Sequence, residues 1–143
     1  MPGQTHPPQE SLGASIWWGL IVGVFNVVAA WGFWWLDLST FHALAIALIA
    51  AVYIGLAVAD GRPKVIAVEV GVASMFVVLA AIAVTVTPWV LVIAYSGHGV
   101  KDFWQHRTHF VANTRWWPPF CATIDWLVAF VLVILISAGV DFH

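Results

Sequence analysis

Five apolar blocks follow one another along the chain, from Ile16 to Leu36, Phe41 to Ala59, Val65 to Val86, Trp89 to about Tyr95, and Phe120 to Ala138. A hydrocarbon layer about 30 Å thick is crossed by a helix of about 20 residues rising about 1.5 Å each. The pattern therefore predicts an all-α fold, a polytopic transmembrane helix bundle of about five spans. Their expected bounds are about 16–36, 41–59, 65–86, 88–106 and 119–138.

The fourth span follows from a length argument. Val65 to Tyr95 as one helix would run about 46 Å, far beyond the hydrocarbon core. Thr87-Pro88 supplies the break, because proline is disfavoured inside a helix and welcome at its first position. Thr87 is the expected N-cap. A helix starting there crosses only by carrying Gly97, His98, Gly99 and Asp102 into the membrane and ending near His106. Asp37-Leu38-Ser39-Thr40 and Asp60-Gly61-Arg62-Pro63 read as tight turns with capping residues. Residues 1–15 hold no lysine or arginine ahead of the first apolar run, unlike a secretory signal. They are expected to form a disordered cytoplasmic tail, and 16–143 a single bundle.

Composition strengthens the membrane reading. Of 143 residues, 62% are hydrophobic and 8% charged, and the mean hydropathy is +0.95. Such a chain cannot cover its surface with polar groups, so the lipid bilayer is the expected partner. A membrane-protein partner or a homo-oligomer is a further expectation, and nucleic acid is disfavoured. Cys121 is the single cysteine, which excludes an internal disulfide and a thiolate zinc cluster. Its place at the start of the fifth span suggests a buried, inert thiol.

With five spans, Arg62 and Lys64 fall between the second and third helices, and Lys101, Arg107 and Arg115 at the connection between the fourth and fifth. All five bases then lie on the N-terminal side, which the positive-inside rule makes cytoplasmic. The C-terminus is expected outside, and the expected setting is a bacterial inner membrane. Trp31, Trp34, Trp35 and Trp89 fall at the outer boundary, and Trp17, Trp18, Trp104, Trp116 and Trp117 at the inner one, as aromatic belts. Ala43, Ala47, Ala51, Gly55 and Ala59 form a small-residue stripe, the expected packing seam of helix two, either inside the bundle or between subunits. Gly19, Gly23, Ala67 and Gly71 are its candidate neighbours.

Ionisable residues inside spans are the strongest pointers to function, since a carboxylate in hydrocarbon must be paired, protonated or hydrated. Helical rise puts Glu69 about 8 Å, Asp102 about 6 Å, and His98 and Asp125 about 12 Å inside the cytoplasmic end. Their similar depth predicts one polar cluster of Glu69, His98, Asp102 and Asp125, with Asn26, Tyr53 and Gln105 in reach as supporting residues. His98, Asp102, His106 and His109 fall within about 80° of one helix face. They are candidate metal ligands, adjacent members sharing an ion. A mixed nitrogen and oxygen set suits zinc, iron or manganese. Without metal the same groups suit a proton relay or cation site, or simply lock the helices together. His106 and His109 also fit a basic patch beside anionic lipid. His42 reads as an interfacial or capping residue, and His6 and His143 as tail residues.

His98-Gly99-x-x-Asp102-x-x-x-His106 resembles, over nine residues, histidine-aspartate segments of membrane-embedded iron enzymes, including bacterial carotene-cleaving dioxygenases. That resemblance implies iron held by histidines from several helices, and His42 is the only other histidine inside an expected span. The combined reading is a small membrane protein whose buried acid and histidine cluster handles a proton, cation or metal. The alternatives are an accessory or assembly subunit of a larger membrane complex, and a metal-dependent membrane enzyme acting on a lipid-soluble substrate.

Overall fold

The computed structural model describes residues 12–112 and 114–143. These form five α-helices: α1 (Leu12–Gly32), α2 (Leu38–Asp60), α3 (Pro63–Thr85), α4 (Trp89–Thr108) and α5 (Trp117–Ser137). Helices α1, α2, α3 and α5 are long and apolar enough to cross a membrane. The chain is thus a multi-pass helical bundle. Helix α4 carries the polar residues and has the length to cross, about 30 Å for its 20 residues.

Local chemistry sets the breaks. Asp37 caps α2 by accepting from the Thr40 N–H (2.7 Å) and hydroxyl (2.8 Å), a cap that contributes about 1 kcal/mol. Slight burial raises the Asp37 carboxyl, but these hydrogen bonds outweigh it and hold it below its ordinary value. Gly61 ends α2 in the left-handed region (φ 82°), and Pro63 opens α3. Between α3 and α4 the break falls one residue later than expected. Pro88 rather than Thr87 is the capping residue, and the Thr87 hydroxyl reaches the Trp89 N–H only at 3.5 Å.

Helix α1 lies four residues earlier than hydropathy predicts. Leu12 to Ser15 are helical, with the Ser15 hydroxyl donating to Leu12 O, and Phe33 to Leu36 leave the helix in a turn closed by Leu36 N–H to Phe33 O. The rest of the expected tail, 1–11, lies outside the described residues. Apolar rings at Phe33, Trp34 and Trp35 extend the hydrophobic block without extending the helix, because all three sit exposed in the turn.

Helix α1 packs along α5, α5 along α4, and α2 along α3. Gly19 is where α1 meets α5: a Cβ there would come within 2.7 Å of Phe120 O and Thr123 Cβ. The small-residue stripe is therefore not the seam inside the bundle. Ala43 is buried, but Ala51, Gly55 and Ala59 are exposed, as are Ala67 and Gly71, and α2 buries Ile46, Ala50, Tyr53 and Ala57 instead. Gly19 and Gly23 face α5, not α2.

Two contacts fix which loops share an end. The Arg62 guanidinium pairs with Asp60 (2.6 and 2.7 Å) and donates to Phe110 O (2.7 Å), while Asp60 accepts from the Ala112 N–H (2.6 Å). At the other end the Ser39 N–H donates to Phe142 O (3.1 Å). The α2–α3 turn and the α4–α5 connection thus lie at one end of the bundle. The α1–α2 turn and the C-terminus lie at the other, so α4 runs the full length.

Candidate metal centre between α4 and α5

Helix α4 buries Leu91, Ala94, Tyr95, His98, Gly99, Asp102 and Gln105, a spacing of three and four residues that defines one face. Apolar residues occupy its N-terminal half and polar ones its C-terminal half. Gly99 lets α5 come close: an added Cβ would collide with the Trp126 indole. The residue before Trp126 is Asp125, and this approach brings it against the residue before Gly99, His98.

The result is a compact triad with no solvent exposure. Asp125 Oδ2 lies 2.7 Å and Asp102 Oδ2 3.3 Å from the same nitrogen, Nδ1 of His98. One ligand atom from each residue falls within 4.8 Å of the others. His98 Nε2, both oxygens of Asp102 and Asp125 Oδ1 are buried without hydrogen-bond partners. Unfilled lone pairs of this kind are costly in an apolar surround unless something else fills them.

A second polar group adjoins the triad. Lys101 Nζ lies 3.0 Å from Glu69 Oε2 and 3.5 Å above the centre of the Tyr53 ring. Glu69 also accepts a hydrogen bond from the Gln105 side-chain amide. Tyr53 links the two groups. Its ring meets His98 edge-on at 5.5 Å, and its hydroxyl lies within electrostatic reach of Asp102. Phe76 packs against the His98 ring at 4.8 Å. Lys101 is therefore not a loop charge, and the basic end owes its sign to Arg62, Lys64, Arg107 and Arg115.

Other candidates lie apart from the triad. His106 is half-buried, and His109 leaves the helix with φ 50°, its ring 6.4 Å from that of His106. His109 leaves the four-residue face because α4 ends at Thr108 and a left-handed residue turns it away, while His106 remains helical one turn beyond Asp102 and outside the triad. Asn26 is half-buried on α1 with its Oδ1 unpartnered. His42 is not the cap of α2, a role Asp37 fills. It is buried among Phe41 and Tyr95, with the Tyr95 hydroxyl donating to its backbone oxygen (3.0 Å). The triad holds one histidine and two aspartates, unlike a shell built from histidines of several helices.

Two further residues adjoin the triad, and Cys121 is buried as expected. Cys121 stands one turn before Asp125, buried within electrostatic reach of Asp102, Asp125 and Lys101. The i, i+4 spacing to Asp125 was the available signal. Phe76 gave none, being one apolar residue in an apolar helix.

A groove of about 690 Å³ separates α3 from α4. Val72, Met75 and Leu79 line one wall, Ile93, Gly97 and Val100 the other, with Glu69 and Lys101 at one end and Phe76 between it and His98. Comparison with family models, curated proteins and solved structures gives no match. The functional reading therefore rests on this geometry.

Proposed function

We propose that the protein holds a divalent transition metal inside the membrane, at His98, Asp102 and Asp125, and works as a metal-dependent membrane protein. The convergence of three buried ligand atoms within 4.8 Å carries this reading. Charge supports it. Among the described residues the buried acids are Glu69, Asp102 and Asp125, and the ammonium beside them is Lys101, 12% exposed. Three negative charges less one positive leaves two, which a dication cancels while His98 stays neutral, the form in which imidazole binds metals.

One nitrogen and two carboxylates suit zinc, iron or manganese. Three protein ligands leave coordination positions open, as in catalytic rather than structural sites. Elemental analysis of detergent-purified protein is expected to find near-stoichiometric zinc, iron or manganese in wild type and almost none in folded His98→Ala. Wild-type protein that is folded, functional and metal-free ends this reading and favours an accessory subunit whose polar groups lock the helices.

The end carrying Arg62, Lys64, Arg107 and Arg115 is assigned to the cytoplasm, and in a bacterial inner membrane the triad then lies in the cytoplasmic half. Membrane-impermeant thiol labelling of single cysteines in a Cys121→Ala background tests the orientation. Positions 62 and 115 are expected to react only from the cytoplasm, and position 141 only from outside. Reaction of 62 and 115 from opposite faces overturns the assignment.

A further inference from the structure

The α3–α4 groove is open to the side rather than to either end of the bundle. Its rim residues Met75, Ile93, Val100 and Trp104 are exposed where the bundle faces lipid. From Glu69 to Leu79 it follows about 15 Å of helical rise, and its volume lies within the range of about 300–1,000 Å³ usual for small-molecule sites. Its walls are apolar except at one end, where Glu69 and Lys101 stand together. Glu69 is fully buried there. Lys101 has three N–H donors and one carboxylate oxygen within reach, so it retains capacity for another acceptor.

We infer that this groove binds an amphiphile entering sideways from the bilayer, a long apolar chain ending in an uncharged hydroxyl or carbonyl, with that oxygen at Lys101. The chain matches the apolar walls. The absence of charge on the head follows from the pair itself: Lys101 is already matched by Glu69 Oε2 at 3.0 Å, so a carboxylate or phosphate head would bring a further negative charge beside Glu69 with no second cation to offset it. A hydroxyl both accepts from Lys101 and donates to Glu69. Binding in the groove does not depend on the metal. The role of substrate for the metal centre does rest on that reading, through Phe76, which lines the groove and touches His98.

Gly97 offers a clean test, because a Cβ there meets nothing within 4 Å and a larger side chain enters the groove instead of the bundle core. The probe is a long-chain primary alcohol carrying a mid-chain diazirine, photolysed with the full-length protein in lipid nanodiscs and mapped by peptide mass spectrometry. Saturable labelling is expected at Met75, Ile93 or Val100, competed by the unlabelled alcohol and reduced about tenfold, roughly 1.4 kcal/mol of binding, in Gly97→Phe. Lys101→Met, in protein carrying Glu69→Gln to keep charge balanced, is expected to weaken alcohol labelling several-fold. The matching carboxylic acid is expected to label less than the alcohol.

Unsaturable labelling spread over lipid-facing residues, or labelling unchanged in Gly97→Phe, overturns the groove proposal. Equal or stronger labelling by the acid overturns the uncharged head. Metal content measured on the same samples separates the two readings. Failure of the groove leaves metal bound and labelling diffuse, whereas failure of the metal centre leaves saturable labelling in metal-free protein.

Discussion

Lys101→Met is expected to destabilise the bundle by about 3–5 kcal/mol, the cost typical of removing one partner of a buried ion pair. Lys101 is the ammonium next to Glu69, and Glu69 has no solvent exposure to fall back on. Methionine fills the volume but leaves the carboxylate facing only the Gln105 amide and the apolar groove. Glu69→Gln on its own is expected to cost less. Lysine's long stem can carry its ammonium toward the basic end of α4, whereas Glu69 is fixed among packed side chains. The double variant, Lys101→Met with Glu69→Gln, is expected to recover most of the loss, because a glutamine at 69 can still accept from Gln105 and no charge is stranded. Unfolding in detergent titrated with denaturing surfactant measures all three variants. A double variant as unstable as the sum of the singles shows that Lys101 acts through packing on Tyr53, not through charge.

The five helices and the α2–α3 break were legible because hydrophobic length and Pro/Gly chemistry determine them directly. Pro63 and Gly61 act through the backbone, independent of tertiary context. The end of α1 was not legible, since Phe33, Trp34 and Trp35 are as apolar in a turn as in a helix. Depth along the membrane could be computed for His98 and Asp125 from helical rise alone, and their contact at 2.7 Å agrees with equal depth. Azimuth was the weaker coordinate. Which face of α2 turns inward depends on partners, and a regular small-residue stripe does not mark it, because such a stripe serves an interface between subunits as well as one inside the bundle. His109 shows the same difficulty at a helix end. The periodicity that places it with His98 holds only while the backbone stays helical, and the helix stops one residue short.

Asp102→Asn distinguishes a metal centre from a structural lock most sharply, and in this substitution the larger loss of function is expected. Asp125 makes the short contact to His98, 2.7 Å, so either account predicts damage when it is neutralised. Asp102 differs. Its nearer oxygen is 3.3 Å from the same nitrogen, and neither oxygen has a hydrogen-bond partner. If the triad merely joined α4 to α5, Asp102 would be the second and longer partner of a histidine that Asp125 already holds at 2.7 Å, and asparagine would cost little. If the triad binds a dication, Asp102 supplies a ligand atom and one of the two charges that the ion cancels. Neutralising it is then expected to weaken metal binding more than about 100-fold, beyond the 10–100-fold usual for groups that only support a ligand. Thermal melting with and without added metal reads this directly. A metal that binds only the folded state raises the wild-type midpoint with its concentration, and that rise is expected to vanish in Asp102→Asn while the metal-free midpoint stays close to wild type. A metal-dependent shift of equal size in Asp102→Asn removes Asp102 from the site. The absence of any shift in wild-type protein stripped of metal beforehand removes the metal centre itself.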